Sequence, residues 1–304
     1  MPTDRIWPLL MRTVSLATCV SLLSVSCGTW LAWVEIRGKY RGHRLWSVLN
    51  LLPLAVPSYL LATLVREHLA PASPLGSLLG LKSQFTGFWP AVLVLGIACT
   101  PYAQLLISAT LRRCPSSEEE AARSLGAKSF RVFTTVVAPR LRPTWAFCIV
   151  LVALYVVSDF GAVAVLDCEV LTWELYKARG GPDAFRLALA LMAVVVPILA
   201  IVRLLHGEKT RESASVSRTL PRRGLSPFAR CMTWLMNLCI GGLGVIVPAV
   251  TLCWWVWSGI SNQVRFAPFI SPAMDTILLA TFGALIVLGL ALAPAWYSAR
   301  SRNQ

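Results

Sequence analysis

The sequence predicts an all-α polytopic integral membrane protein of about seven transmembrane helices, and three observations predict it. Hydrophobic residues make up 56% of the 304 and charged ones 14%, where a soluble domain carries about 25% charge. The mean hydropathy is +0.66. Apolar runs of about 20 residues recur along the chain, each long enough to cross a hydrocarbon core about 30 Å thick. Only helices or closed barrels satisfy their backbone in lipid, and the strand-period alternation of a barrel is absent.

The first span covers about 13–36. Its apolar run is too long for a signal peptide and no small-residue cleavage site follows, so it stays as a span. The second, about 45–65, contains "LLPLAVPSYLLA". Two prolines inside a span imply a kink beside a cavity, which makes Pro53, Pro57 and Ser58 candidates for lining a pathway. The third covers about 85–111 and the fourth about 144–166. Asp159 is an acid inside that fourth apolar stretch, where charge is costly and often functional. It stands about 24 Å along the span, near its outer end, so it reads equally as part of an outer gate or as a helix cap. Spans at about 184–205, 231–258 and 275–297 complete the set. Trp89, Trp145, Trp173, Trp254, Trp255 and Trp257 fall near span ends, as aromatic belts do.

The net charge of +14 could suit nucleic acid, but its distribution argues otherwise. With the amino terminus outside, the inside segments 37–44, 112–143, 203–230 and 298–304 hold twenty of the twenty-eight lysines and arginines. That is the positive-inside asymmetry of a membrane chain. Nine scattered cysteines form no CxxC pair, and three isolated histidines build no zinc site with them, so the cysteines read as small packing residues. No G-x4-G-K-[ST] phosphate loop is present; "GAKS" at 126–129 lacks the spacing.

Two internal features stand out. "TVSLATCVSLLSVSCGTWLAWVEIR" (13–37) and "TILLATFGALIVLGLALAPAWYSAR" (276–300) share T-x-x-L-A-T-x3-L-x9-A-W-x3-R. The pattern pairs Thr13 with Thr276, Trp33 with Trp296 and Arg37 with Arg300, and it reads as a tandem duplication. The charged, Ser-rich stretch from 207 then becomes a linker: residues 1–206 are a first repeat, 207–230 the linker and 231–304 the start of a second.

The other feature is "SSEEEAARSLGAKSFRVFTTVVAPRLRP" (116–143), lying between two apolar spans. Ser117 and Glu120 have capping-box spacing, and Glu118 and Glu119 suit a first helical turn. Ala121, Ala122 and Leu125 form a thin apolar stripe, and Gly126 sits where a left-handed cap would end the helix. A second helix would carry Phe130, Phe133 and Val136 or Val137 on one face, with Arg131 on another. Pro139 would stop it and Pro143 open the next span. The stretch is then either a capped connector or an element that docks another protein.

The pattern E-A-A-x3-G, followed by the apolar run to Pro139, resembles the loop by which ABC importer permeases dock on their ATPase. It falls on Glu120, Ala121, Ala122 and Gly126, with Ala138 where leucine is usual before the proline. "LLPLAVPSYLLA" and "VVSDFGAVAVL" (156–166), with "LTWELYKA" downstream, resemble the fused two-repeat permeases of ferric-iron importers; thiamine, polyamine and sulfate permeases share the architecture. The resemblance implies the type I permease fold and no catalytic or metal-binding residue. It implies no cofactor in this chain, ATP being bound by a partner subunit. The implied partners are a cytoplasmic ABC ATPase dimer, a periplasmic substrate-binding protein, a second permease half or another copy of the chain, and the lipid bilayer. The implied location is the bacterial inner membrane, multi-pass, with the carboxyl terminus cytoplasmic. Glu120, Ala121, Ala122, Leu125, Gly126 and Pro139 would form the docking loop, with Arg123, Lys128 and Arg131 facing the ATPase or lipid phosphates. Ser158, Asp159, Phe160 and Gly161 match the family's S-D-F-G stretch and join Pro53, Pro57 and Ser58 as pathway or outer-gate candidates. Relative to that family, the chain is expected to lack an opening span and most of the second half, and a non-functional fragment is the alternative to a working subunit.

Overall fold

The computed structural model describes residues 6–114, 116–178, 180–206, 223–262 and 267–301. Among them six helices are long and apolar enough to cross a membrane, or seven if one bent pair counts as a span. The chain divides into two compact units, Met1–Thr251 and Leu252–Gln304.

The first unit is built around α1 (Ile6–Arg37), α5 (Phe88–Arg113) and α8 (Ala138–Ser158). Small residues let these helices approach, since lipid gives apolar surfaces no reason to hide from it and close packing must supply the attraction. At Gly28 of α1 a Cβ would stand 2.7 Å from the Ala103 Cβ and 2.8 Å from the Gln104 backbone nitrogen of α5. Ser24 donates to the Gly96 carbonyl of α5 at 3.3 Å, and Ser21 to the Ile149 carbonyl of α8 at 3.1 Å. Leu16, Val20, Leu95 and Val156 are buried where the three helices meet.

The region expected as a second straight span is broken. α2 (His43–Leu49) and a 3-10 turn (Leu52–Ala55) lead into α3 (Ser58–His68), and the two halves meet at 103°. Pro57 lies at the break, where its fixed φ and missing N–H suit a helix start. Its carbonyl accepts from Leu60 and Leu61 to open α3. The kink read from the prolines is therefore present, and at 103° it is closer to a right-angle turn than to a gentle bend. α4 (Pro74–Leu78) leads towards α5.

α6 (Ser116–Ser124), α7 (Ser129–Val132) and a π-helical turn at Phe133–Val137 run directly into α8. This corrects two expectations. Pro139 does not stop a helix and Pro143 does not open one: residues 129–158 form one continuous helical rod, with Pro143 inside it. The π turn supplies the reason. Its wider i→i+5 spacing loosens the ladder just before Pro139, where an α-helix would set the ring against a carbonyl. The rod also ends at Ser158, earlier than the expected 166. α9 (Gly161–Val165) and α10 (Leu171–Lys177) follow as short separate helices, then α11 (Pro182–His206).

The stretch 207–222, most of the expected linker, lies outside the described residues. Beyond it, β2 (Arg223–Gly224) pairs in parallel with β1 (Gly38–Lys39), directly after α1. α12 (Pro227–Asn237) opens on Ser226, whose hydroxyl accepts from the Ala229 amide, and continues through a π stretch (Leu238–Ile246) into α13 (Val247–Ser261). Asn237 accepts a 2.8 Å hydrogen bond from buried Asn50. α14 (Ala267–Ser301) is a single 35-residue helix whose described large apolar side chains, Trp296 among them, are exposed.

Among the tryptophans, Trp89, Trp254 and Trp257 are exposed as a belt requires, while Trp145 and Trp173 are drawn inward. The Trp145 indole N–H donates to Thr29 of α1 at 3.0 Å. Cys99, Cys114, Cys148 and Cys168 are buried, while Cys231 and Cys253 are exposed.

Candidate docking site and interior cluster

The polar stretch between α5 and α8 folds as a short helix, a left-handed turn and a second helix. α6 begins at Ser116, so Ser117 lies inside the helix by one residue and is not its N-cap as the capping-box spacing suggests. Gly126 ends the motif as expected: its φ is +84°, and no atom stands within 4 Å of a Cβ placed there. Its amide donates to the Arg123 carbonyl at 2.9 Å, and the Ala127 amide to the Ala122 carbonyl at 3.1 Å. That pair of bonds is the Schellman pattern, and it fixes the angle at which α7 leaves α6.

Of the docking candidates, Glu120 and Ala121 are exposed, Ala122 is half-buried, and Leu125 is 89% exposed at the tip. Phe130 is 79% exposed, which corrects its expected place on the packed face. The packed residues are Val132, Phe133 and Val137. Phe133 lies edge-on to Trp33 of α1, ring centroids 5.1 Å apart. Pro139 is exposed at the start of α8. Leu125 and Phe130, flanked by exposed Lys128 and Arg131, present apolar and basic surface together.

The acid that α6 buries is Glu119, which the motif does not include. Glu119 is 1% exposed, and the Arg37 guanidinium, 10% exposed, reaches one of its oxygens at 2.6 Å through Nη2 and 3.2 Å through Nε. Arg123 stands 3.8 Å from the other oxygen, one helical turn along. A second bridge, Glu118 to Arg140, ties α6 to α8 at the surface. Half a turn before Arg37, Glu35 of α1 pairs with Arg112 at 2.9 Å and accepts from Gln104 at 3.1 Å, both on α5. Burial pushes the Cys114 thiol up, Arg140 and Arg37 partly opposing this, and Glu119 and Glu118 adding to it. Sequence reasoning missed Glu119: three consecutive acids cover only part of the helix circumference, at about 100° per residue, and nothing local marks which one turns inward.

In the second group, Ser58 and Asp159 come together, with Gly161 close by. Ser58 at the start of α3 donates to one Asp159 oxygen, and the other accepts from the Ala162 amide at 2.9 Å. Asp159 thus holds the start of α9 to the broken span. Gly161 permits the approach, since a Cβ there would stand 2.8 Å from the Tyr59 Cβ. Tyr155, one turn before Asp159, lies 5.6 Å from Tyr102 between ring centroids. Tyr102 is the fifteenth residue of α5, so the Tyr155–Tyr102 contact lies roughly 21 Å along α5 from its Phe88 end at 1.5 Å per residue, and Asp159 is about one turn from it. Phe160 lies tilted against Tyr176 and Trp173, while Ser158 donates back to the Tyr155 carbonyl. Pro53 is buried, with its ring beside Gly244, and Pro57 is exposed.

Residues 24–207 match the family described as "Binding-protein-dependent transport system inner membrane component". The Fe(3+)-transport system permease protein FbpB 2 of Haemophilus influenzae is 26% identical over 98% of this chain, which spans 58% of that relative's length. The putrescine transport system permease protein PotI of Escherichia coli is 26% identical over 66% of this chain and 73% of its own. In fold, a chain of the MetNI methionine ABC transporter superposes with a TM-score of 0.51 at 18% identity, covering 68% of this chain and 99% of its own.

Proposed function

This chain belongs to the family of binding-protein-dependent transport system inner membrane components, and on that premise we propose that it is a permease subunit of an ABC importer. It offers solute a path across the inner membrane, while a separate ATPase supplies the energy and a periplasmic binding protein delivers the solute. The observation that carries this reading is α6–α7: a rigidly capped helix–turn–helix with Leu125, Phe130 and Arg131 exposed beyond the membrane helices. In this reading the amino terminus is outside and residues 112–143 face the cytoplasm. Closure of an ATPase dimer pushes on Glu120, Ala121, Ala122, Leu125 and Gly126, and the helical rod from Ser129 carries the push inward as a rigid-body shift. Pro139 marks where that rod leaves its π turn.

Ferric iron is the proposed solute, supported by similarity to the ferric-iron relative along 98% of the chain. The putrescine relative keeps a polyamine as the competing solute. The proposed pathway is lined by Pro53, Pro57, Ser58, Ser158, Asp159, Phe160 and Gly161, and the Ser58–Asp159 hydrogen bond is the contact that supports it. Residues 1–206 form a first repeat and 231–304 begin a second, in a membrane assembly with a second permease half or another copy.

The test is uptake of radiolabelled ferric iron and putrescine by cells expressing the chain with its ATPase and binding protein. Glu120→Arg combined with Gly126→Pro should abolish energised uptake while the chain still inserts. Undiminished uptake by that variant would sink the docking reading.

A further inference from the structure

Two ion pairs of very different character tie the docking helix to the rest of the described residues. Glu118–Arg140 is a surface pair, with side chains 38–48% exposed, and such pairs contribute about 0–1 kcal/mol. Arg37–Glu119 is buried, and an unpartnered buried charge is costly. Two further observations single out this second joint. The Nε and Nη2 of Arg37 both address one Glu119 oxygen, while the other oxygen has no hydrogen-bond partner among the described residues and stands 3.8 Å from Arg123. If Arg37 were removed, that carboxylate would lose its hydrogen-bond donors. Arg37 also sits at the foot of α1, within three residues of Glu35, which grips α5 through Arg112 and Gln104.

We infer that Arg37 is the positioning residue that clamps the docking helix to α1, and that α1 thereby takes up the displacement of that helix. The inference rests on the permease reading for the source of the displacement and on the geometry alone for the clamp. The rod through α7 and α8 is one mechanical route from the docking surface. The Arg37 clamp makes α1 a second, and Glu35 passes the load sideways to α5. A push on α6 then moves three helices together instead of bending one. The repeat in the sequence places Arg300 at the position of Arg37 and Trp296 at that of Trp33, and Trp33 is the α1 residue that packs on Phe133 beside the clamp.

The clamp can be tested without knowing the solute. In inside-out vesicles holding the full-length chain, trypsin cleavage at Arg123, Lys128 and Arg131 reports release of the docking helix. Arg37→Ala and Glu119→Gln should each speed cleavage about tenfold or more, as expected for opening of a buried pair. Glu118→Gln should change it less than twofold. The charge swap Arg37→Glu with Glu119→Arg should be protected better than either single change, because the pair reforms reversed, although Arg123 then repels the new arginine. Unchanged cleavage in Arg37→Ala, or a swap no better than the single variants, overturns the clamp. The load path is read in cells expressing the chain with its ATPase and binding protein, using labelled ferric iron and putrescine as probes. Arg37→Ala should keep ATP hydrolysis and lose at least tenfold of uptake; uptake equal to wild type overturns it. If the wild-type chain takes up neither probe, the iron and polyamine readings fall, and the cleavage assay still decides the clamp.

Discussion

Gly28 offers a quantitative test of how α1 and α5 pack. A Cβ there would lie 2.7 Å from the Ala103 Cβ and 2.8 Å from the Gln104 nitrogen. Carbon atoms in contact sit about 3.5–4.0 Å apart, so Gly28→Ala must part the two helices by roughly 1 Å. Overpacking of this kind costs about 1–3 kcal/mol. Alanine returns about 1 kcal/mol over glycine in a helix interior, leaving a net loss of about 0–2 kcal/mol. A loss of 1 kcal/mol lowers a melting temperature by about 2–4 °C at this size scale. Gly28→Val adds two methyls against the same backbone and should fall further. Two controls isolate the cause. At Gly96 the obstruction is the flexible end of Leu23, so alanine there should cost less; at Gly283 nothing lies within 4 Å, so alanine should gain the propensity term. The assay is thermal unfolding of the detergent-purified chain followed by size-exclusion chromatography. If Gly28→Ala is stabilised as much as Gly283→Ala, the close approach of α1 and α5 is wrong.

Other outcomes follow from the two clusters. Asp159→Ala should lower stability by about 0.5–2 kcal/mol, the range for losing a helix-capping side chain; Ser58→Ala should cost less, because the cap on Ala162 survives it. Melting curves of both variants check this, and equal losses would deny Asp159 its capping role. Gly126→Ala places a Cβ in the left-handed region at about 1–2 kcal/mol; trypsin sensitivity of the docking turn should rise, while Gly126→Asn should change it little. Burial pushes the Cys168 thiol up to about 11, Arg12 opposing and Glu169 and Asp167 adding to it. Its protonated form is thus favoured by folding, so this stability is present below about pH 9 and is lost as the pH rises towards 11. Maleimide should accordingly label exposed Cys231 at pH 8 well before Cys168, as mass spectrometry of the labelled chain would show.

Much of this molecule was legible in the sequence because lipid enforces simple rules. Long apolar runs became long helices at α1, α5, α11 and α14, and Gly126 became a left-handed cap because glycine has no Cβ to strain at φ +84°. The failures have a common origin in prolines and in tertiary demand. Pro139 and Pro143 read locally as a stop and a start, yet the π turn at Phe133–Val137 absorbs the first, and the helix carries the second. Phe130 and Phe133 read as one face at α-helical spacing, but Phe133 finds Trp33 while Phe130 stays exposed. Glu120 carried the motif, and its neighbour Glu119 carries the buried contact, because which of three adjacent acids faces inward depends on the helix start. Asp159 and Ser58 are about a hundred residues apart, and no local pattern announces their hydrogen bond.

The π turn has a consequence for how the chain tolerates insertion and deletion. A π turn holds one residue more than the α-helix it interrupts, so Phe133–Val137 behaves as an inserted residue that the rod has accommodated. Deleting Thr134 or Thr135, both exposed, can be absorbed by reverting to an ordinary helix. A deletion anywhere in 144–157 has no such reserve and would turn everything beyond it by about 100°. The short deletion is therefore survivable in folding, yet it withdraws the slack that Pro139 needs at the joint between the docking turn and α8. Length variation in this chain should be tolerated at 133–137 by the lipid-facing fold before it is tolerated by whatever meets Leu125.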